Sequence, residues 1–275
     1  MTTQTILLLD NGSRRAAATL SLRQAAKALE QATGQIIHPV SLQHANHIDP
    51  GLVEGRHADT FEAFLRDQLQ AGKQEFLAVP LFFGQSRALT SFIPDTISRL
   101  QTEFGSFKFE LADVLYPLPD GEPRLAMILC DNIQTALHAH DITRARVILV
   151  DHGSPTPEVV AVRELLASSM RQILGPEIML FEAVMERRQG SEYDFSGRLL
   201  EEVLDELAIE DPGTPVVLSM LFLAPGRHAG SGGDIESIRD RVVAAHPTLK
   251  AVITQLVGDH SGLVPILQER LEAAL

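Results

Sequence analysis

The clearest structural pattern in the sequence is Val147-Ile148-Leu149-Val150-Asp151-His152-Gly153-Ser154. Four consecutive apolar residues that run into Asp-His-Gly-Ser are typical of a fully buried strand of a parallel sheet, followed by a tight turn. In open α/β sheets, ligands bind beyond the carboxyl ends of the strands. The pattern therefore predicts that His152 stands where such a sheet places its binding site.

A second copy of this pattern opens the chain. Ile6-Leu7-Leu8-Leu9-Asp10-Asn11-Gly12-Ser13 has the same strand and turn, with Asn11 standing 141 residues before His152. Leu81-Phe82 and Leu221-Phe222 repeat at a spacing of 140. Strands alternate with helices in both halves, which predicts parallel sheets with helices on both faces. We therefore expect an α/β protein of two tandem, duplicated, flavodoxin-like domains, 1–141 and 142–275, with a cleft between them.

Apolar runs and helical spacing predict four strands and four helices in each half. The predicted strands are 6–9, 36–42, 76–83, 107–114, 147–150, 178–185, 216–223 and 250–256. The predicted helices lie near 20–29, 61–69, 93–100, 125–139, 159–174, 199–207, 235–245 and 263–275.

Composition excludes several classes of protein. Of the 275 residues, 45% are hydrophobic, which is enough for a sizeable core, and the net charge of −13 argues against a nucleic-acid or anionic-membrane partner. Cys130 is the single cysteine, so an internal disulfide and a cysteine-rich metal site are ruled out. No apolar run approaches the roughly 20 residues of a membrane helix. The N-terminus lacks a basic region and a cleavage site, so we expect a cytoplasmic protein.

Three strand ends of the second half carry His152, Glu186 and His228. Because parallel strands point the same way, these residues should meet at one edge of the sheet. Two imidazoles and a carboxylate can bind a divalent metal, or they can move protons near neutral pH. The matching positions of the first half hold Asn11, roughly His44, and Ala88, and Ala88 can neither bind nor titrate.

Other signatures are missing from the sequence. No Gly-x-x-x-x-Gly-Lys-Ser/Thr loop occurs, which argues against ATP, and no Gly-x-Gly-x-x-Gly follows the first strand of either half, which argues against a dinucleotide cofactor. The Gly-Ser turns are not Gly-x-Ser-x-Gly elbows, so an esterase is disfavoured. Glycines surround His228 at positions 226, 230, 232 and 233, and they would let the backbone approach a large flat ligand.

The combination resembles a known family. His152-Gly153-Ser154, the loop Met185-Glu186-Arg187-Arg188, and a third strand that leads into Pro225-Gly226-Arg227-His228 are similar to the sirohydrochlorin chelatases, the class II, ATP-independent enzymes of the long two-domain type. The resemblance implies insertion of Fe²⁺, or alternatively Co²⁺, into sirohydrochlorin, as in sirohaem or cobalamin biosynthesis, without an organic cofactor. It implies that His152 and His228 bind metal and act in catalysis and that Glu186 assists. Asn11 and Ala88 depart from the histidines that the family often carries in its first half.

Sirohydrochlorin carries many carboxylates, so its enzyme needs cationic groups near the bound ring. We expect Arg187, Arg188, Arg227, Ser154 and Gly226 to bind the macrocycle. Arg14, Arg15 and Arg87 follow the equivalent strands of the first half, at the matching edge of its predicted sheet. The two halves would form an internal pseudo-dimer, so the chain could act as a monomer. Two alternatives stay open: a non-catalytic carrier of a tetrapyrrole or a metal, and a pair of flavodoxin-like domains that bind a small ligand without metal.

Overall fold

The structure is a computed structural model that describes residues 4–275. Its strands are β1 (Thr5–Asp10), β2 (Ile37–Ser41), β3 (Asp59–Thr60), β4 (Glu75–Pro80), β5 (Lys108–Leu111), β6 (Arg146–Asp151), β7 (Met179–Val184), β8 (Val216–Met220) and β9 (Ala251–Ile253). Its helices are α1 (Ala16–Thr33), α2 (Phe61–Gln70), α3 (Ile93–Phe104), α4 (Pro123–Ala139), α5 (Pro157–Leu174), α6 (Leu200–Glu210), α7 (Asp234–Ala245) and α8 (Leu263–Ala274). Within residues 4–275, no helix combines the length and the apolar character needed to cross a membrane.

The strands form two parallel sheets, and the predicted α/β class is confirmed. The first sheet has the order β3-β2-β1-β4-β5 and the second has the order β7-β6-β8-β9. The prediction of four strands in the first half missed β3, which has only two residues and pairs Asp59 with Val40. A polar two-residue strand shows no alternation of apolar side chains, so no hydrophobic pattern could reveal it.

The second sheet is buried on both faces. Ile148 and Val150 of β6 pack with α6 and α7 in one apolar core. Val147 and Leu149 point to the opposite face, because side chains alternate along a strand, and they are just as fully buried. Helix α5 contacts β6 and β7, and α4 contacts β8. A strand covered on both sides needs an uninterrupted apolar run, which is what the sequence shows there.

The first sheet is built on the same principle. Leu7 and Leu9 of β1 share a core with Phe61 and Leu65 of α2 and with Ile93 of α3. Helix α1 contacts β1 and β2. Each half of the sequence thus supplies one complete sheet, as the repeat predicts.

The chain divides into two compact units, and these do not contain the same residues as the predicted halves 1–141 and 142–275. One unit comprises the chain up to Asp120 together with Val264–Leu275, and the other comprises Gly121–Leu263. Helix α4 packs against α5 and β8, which places it in the second unit. In α8, Nε of Arg270 donates to the carbonyl of Val114 at 3.0 Å, which ties the last helix to the first unit. The order of elements follows the sequence repeat, but the last helix of each repeat packs in the other unit.

Candidate active site

Backbone hydrogen bonds hold three loops together at the carboxyl edge of the second sheet. Beyond β6 and β7, the amide of Glu186 donates to the carbonyl of His152 at 3.1 Å. The amide of Leu221, just after β8, donates to Val150 at 2.9 Å. The backbone of Gly153 lies so close to the β7 loop that a Cβ there would stand 2.1 Å from the carbonyl oxygen of Glu186. Its φ of +92° also favours glycine, so this residue is what lets the His152 turn and the Glu186 loop meet.

The two ring nitrogens of His152 have different partners. Nδ1 lies 3.0 Å from the carbonyl oxygen of Gly153. A carbonyl only accepts hydrogen bonds, so this contact assigns the hydrogen to Nδ1. Nε2 then faces Oε1 of Glu186 at 3.3 Å. A lone pair opposite a carboxylate is repulsive unless a proton or a cation lies between them, so the pair is suited to hold either one.

His228 is oriented in a similar way. Its Nδ1 lies 2.7 Å from Oδ2 of Asp234, the first residue of α7, and we assign the hydrogen to Nδ1 there also. The amide of Ile235 donates to the carbonyl of His228 at 3.1 Å, which holds the loop against the helix. A carboxylate behind an imidazole fixes the ring and makes the opposite nitrogen a better ligand or base.

The two imidazoles are neighbours. The ring centroids of His152 and His228 lie 4.6 Å apart, with an angle of 74° between the ring planes. Each ring uses Nδ1 for an oxygen of the protein, which leaves both Nε2 atoms for a ligand. Among residues 4–275, no group of three or more His, Cys, Asp or Glu side chains is arranged as a ready metal site.

A pocket of about 360 Å³ lies beside His152 and Glu186. Its lining residues are His152, Gly153, Ser154, Pro155, Glu186, Arg187, Arg188, Tyr193 and Ser196. Of these, Tyr193 and Ser196 come from a segment that the sequence analysis did not predict to be part of the site. The amide of Ser154 donates to the hydroxyl of Ser196 at 3.3 Å, which joins the two walls.

The predicted macrocycle-binding arginines differ in their surroundings. Nη1 of Arg187 donates to the carbonyl of Gly197 at 3.1 Å, whereas the Arg188 guanidinium lies 5.6 Å from the centre of the Tyr193 ring. Arg188 has no carboxylate partner in the part of the chain that the structure describes. Arg227 is 78% exposed and its Nε lies 3.8 Å from Oδ2 of Asp234.

Gly226, also predicted to bind the macrocycle, lies in the His228 loop. Its amide donates to the carbonyl of Ala229 at 2.6 Å, so that N–H stabilises the loop itself. Ala229 is buried, which anchors the loop in the core. A bound ligand would meet the loop's side chains rather than this amide.

The matching edge of the first unit keeps the turn and lacks the imidazoles. Gly12 has φ +84°, and a Cβ there would stand 1.9 Å from the carbonyl oxygen of Gln43. Asn11 and Ala88 occupy the positions of the two histidines, and His44 is exposed. Burial raises the pKa of the Asp10 carboxyl to about 6, and its Oδ1 has no hydrogen-bond partner. Among residues 4–275, the exposed side chains of Arg14, Arg15 and Arg87 have no ion-pair partner.

Comparison with known families bears out the resemblance carried by these loops. The sequence model of the CbiX family matches residues 5–136 and again 146–274. The chain belongs to the CbiX family. The two matches coincide with the two halves of the repeat, so both halves of this CbiX chain derive from the same type of domain. No curated protein matches the sequence.

Solved structures of chelatases share the fold of this CbiX chain. A structure of SirB from Bacillus subtilis with Fe³⁺ has a TM-score of 0.71 at 17% identity, covering 99% of this chain and 95% of that one. SirB from Bacillus subtilis subspecies spizizenii, in complex with cobalt, has a TM-score of 0.67 at 16% identity, with the same coverage. A CbiX described as the terminal enzyme for siroheme biosynthesis in denitrifying bacteria has a TM-score of 0.58 at 13% identity, covering 99% and 100%.

Proposed function

We propose that this CbiX-family protein inserts a divalent metal into sirohydrochlorin without ATP, with Fe²⁺ as the favoured metal and Co²⁺ as the alternative. The observation that carries the proposal is the placement of His152 and His228, whose ring centroids lie 4.6 Å apart and whose Nε2 atoms are both uncommitted to backbone. Oε1 of Glu186 lies 3.3 Å from Nε2 of His152, so the carboxylate can share a cation or a proton with that imidazole.

The reaction exchanges a metal ion for two protons. The ion binds the four ring nitrogens, two of which lose their N–H protons, and those protons must reach solvent. The His152–Glu186 pair holds either a cation or a proton, so it suits both parts of the exchange. As the ion leaves the pair for the macrocycle, the vacated Nε2 can accept a pyrrole proton. Nε2 of His228 is the second acceptor, supported by Asp234.

The binding of the metal must also be weak enough to let it go. Neutral imidazole and carboxylate ligands take Fe²⁺ and Co²⁺ readily, whereas a set of thiolates would hold them more tightly. Two imidazoles and at most one carboxylate would leave open positions on the ion for the macrocycle nitrogens. An open, two-histidine site is therefore suited to a metal that is a substrate.

Recognition of the macrocycle is proposed to depend on its carboxylates. Arg188 lines the pocket near the face of Tyr193 and has no ion-pair partner among residues 4–275, so its charge is available to a carboxylate. A charge-assisted hydrogen bond of this kind contributes about 1.5–3 kcal/mol. Arg187 and Arg227 already contact the Gly197 carbonyl and the Asp234 carboxylate, respectively. To bind a carboxylate of the macrocycle, each guanidinium would have to divide its N–H groups between the two acceptors or give up its protein contact.

The preference for iron is the finer part of the proposal. Ligand sets of nitrogen and oxygen discriminate poorly between neighbouring divalent metals, so availability decides much of the outcome. The similar SirB structures were obtained with Fe³⁺ and with cobalt, which is consistent with either metal.

The proposal is tested by mixing the purified protein with excess sirohydrochlorin and either Fe²⁺ or Co²⁺ without oxygen, and following the absorption spectrum. An enzyme converts many equivalents of the macrocycle, and the rate is proportional to protein concentration. A carrier gives a spectral shift that stops at one equivalent. A rate no faster than that of the protein-free mixture would contradict the proposal.

A further inference from the structure

The region beneath His152 contains a buried arginine whose contacts reach both walls of the pocket. Arg163 lies in α5 and is only 2% exposed. Its Nη1 donates to Oδ1 of Asp151 at 3.0 Å, and its Nη2 donates to the carbonyl of Ser196 at 2.9 Å. Nε lies 3.4 Å from Oε2 of Glu182 on β7. Because a guanidinium presents its donors in a fixed planar fork, these contacts set the spacing of the groups that accept from it.

Each of the two main acceptors of Arg163 is tied to the turn that carries His152. Oδ1 of Asp151 also accepts from the amide of Gly153 at 3.1 Å, on the far side of His152. The hydroxyl of Ser196 accepts from the amide of Ser154 at 3.3 Å. The guanidinium thus closes a ring of contacts that includes the residues before and after His152 and the wall formed by Ser196.

The sequence repeat provides an internal comparison. Positions 22 and 163 differ by 141, as do 11 and 152, and as do 10 and 151. The first unit has Leu22 at the position of Arg163, and Oδ1 of Asp10 has no partner there. The half that has Asn in place of the histidine also lacks the arginine, although it keeps the Asp and the Gly of the turn. Arg163 is thus found in the half that has His152, and the equivalent turn of the other half forms without an arginine.

We infer that Arg163 is a positioning residue for the site: its guanidinium joins the His152 turn to the Ser196 wall and so fixes Nε2 of His152 opposite Glu186. This inference rests on the proposed function for its kinetic consequence. Displacing a reacting group by about 1 Å can lower a rate by about 10²-fold, so a residue without substrate contact can have a large effect.

The test uses a double variant, because Arg163→Met alone would leave Asp151 as an unpaired buried charge and could unfold the protein. Asp151→Asn combined with Arg163→Met removes both charges, and the Asn oxygen can still accept from Gly153. Arg171→Met is the matched control, since Arg171 contacts Glu182 from the surface and reaches neither Asp151 nor Ser196. Folding is checked by circular dichroism and urea unfolding for each protein.

Two readouts are measured on the folded full chain. We expect the double variant to lose about 10- to 100-fold in kcat with little change in KM for the macrocycle, while Arg171→Met stays within about twofold of the wild type. We also expect the amide of Ser154 to exchange its hydrogen about tenfold faster in the double variant, because its tie to Ser196 loosens. Arg163→Lys, which keeps the charge but not the fork, should fall between the two.

The inference is overturned if the double variant is folded and retains both wild-type kcat and wild-type protection of the Ser154 amide. It is also overturned if activity falls only in proportion to the unfolded fraction, since that describes a structural role. If the wild-type chain inserts no metal, the proposed function fails, but the exchange of the Ser154 amide still decides whether Arg163 positions the turn.

Discussion

Asp234 accepts a hydrogen bond from Nδ1 of His228 over 2.7 Å and thereby fixes the orientation of the ring beside His152. The first residue of a helix thus orients a side chain that belongs to the preceding loop. Outer carboxylates of this kind usually matter for both metal affinity and activity, although they touch neither metal nor substrate.

Asp234→Asn is expected to lower the insertion rate by about 10- to 100-fold and to weaken binding of Co²⁺ by a similar factor. The Asn oxygen can still accept the hydrogen bond, but the negative charge behind the His228 ring is lost. Initial rates and a Co²⁺ titration measure the effect. Asp205→Asn is the control, since Asp205 pairs with His246 at 2.6 Å outside the site. Equal activity of the two variants would show that Asp234 has no special role.

Glu186→Gln should reduce kcat by about 10²-fold, which is a typical loss for a group that transfers protons. The neutral amide cannot hold a cation or a proton against Nε2 of His152 as the carboxylate does. Steady-state kinetics at several metal concentrations will separate weaker metal binding from slower chemistry. Glu177→Gln, an exposed change in the same unit, should be silent. A wild-type rate for Glu186→Gln would remove this carboxylate from the mechanism.

Gly153→Ala is expected to abolish most activity, because a Cβ would stand 2.1 Å from the carbonyl oxygen of Glu186 and the two loops would have to separate. Gly175→Ala is a matched comparison: Gly175 has φ +75°, but a Cβ there meets no atom within 4 Å. Both variants should lose about 1–3 kcal/mol of stability to backbone strain. Only Gly153→Ala should also have a lower insertion rate per folded molecule, which is the rate divided by the concentration of folded protein. Similar specific activities would mean that the close approach of the loops is not needed.

Asp10→Asn should stabilise the protein above pH 7. Burial raises the pKa of Asp10 from 3.8 to about 6, so the folded state holds a proton that the unfolded state releases. Its contribution to stability is present below pH 3.8 and is lost as the pH rises through 6. At pH 8 the buried negative charge therefore costs the wild type about 3 kcal/mol of stability, which the variant avoids.

Urea unfolding of both proteins at pH 4.5 and pH 8 measures this effect, and the difference between wild type and Asp10→Asn isolates Asp10 from other carboxyl groups. The advantage of the variant should be larger at pH 8 than at pH 4.5. An advantage that does not change with pH would show that Asp10 titrates normally.

The parts of the site that follow strand ends could be predicted from the sequence. His152, Glu186 and His228 each follow an apolar run, and parallel strands deliver such residues to one edge whatever the details of the loops. The same reasoning predicted the four strands of the second sheet and four of the five strands of the first. It depends only on the period of hydrophobicity and on the direction of parallel strands, which local sequence determines.

The remaining parts depend on tertiary packing. Asp234 reaches His228 through the folding of a glycine-rich loop, whose path has no periodic signal. Arg163 is a charged residue in a helix, a pattern that normally indicates a solvated face, and its burial follows only from the placement of Asp151 and Ser196. The exchange of α4 and α8 between units was equally hidden, since the repeat fixes the order of helices but not their packing partners.

The roles of His152 and His228 are tested by the insertion rates of His152→Ala and His228→Ala, with His246→Ala as a control of the same type outside the site. Each protein is first shown to be folded, and metal insertion into sirohydrochlorin is then followed by absorption with Fe²⁺ and with Co²⁺. We expect each of the first two variants to lose insertion with both metals and His246→Ala to keep it. Insertion at the wild-type rate by both His152→Ala and His228→Ala would contradict this expectation.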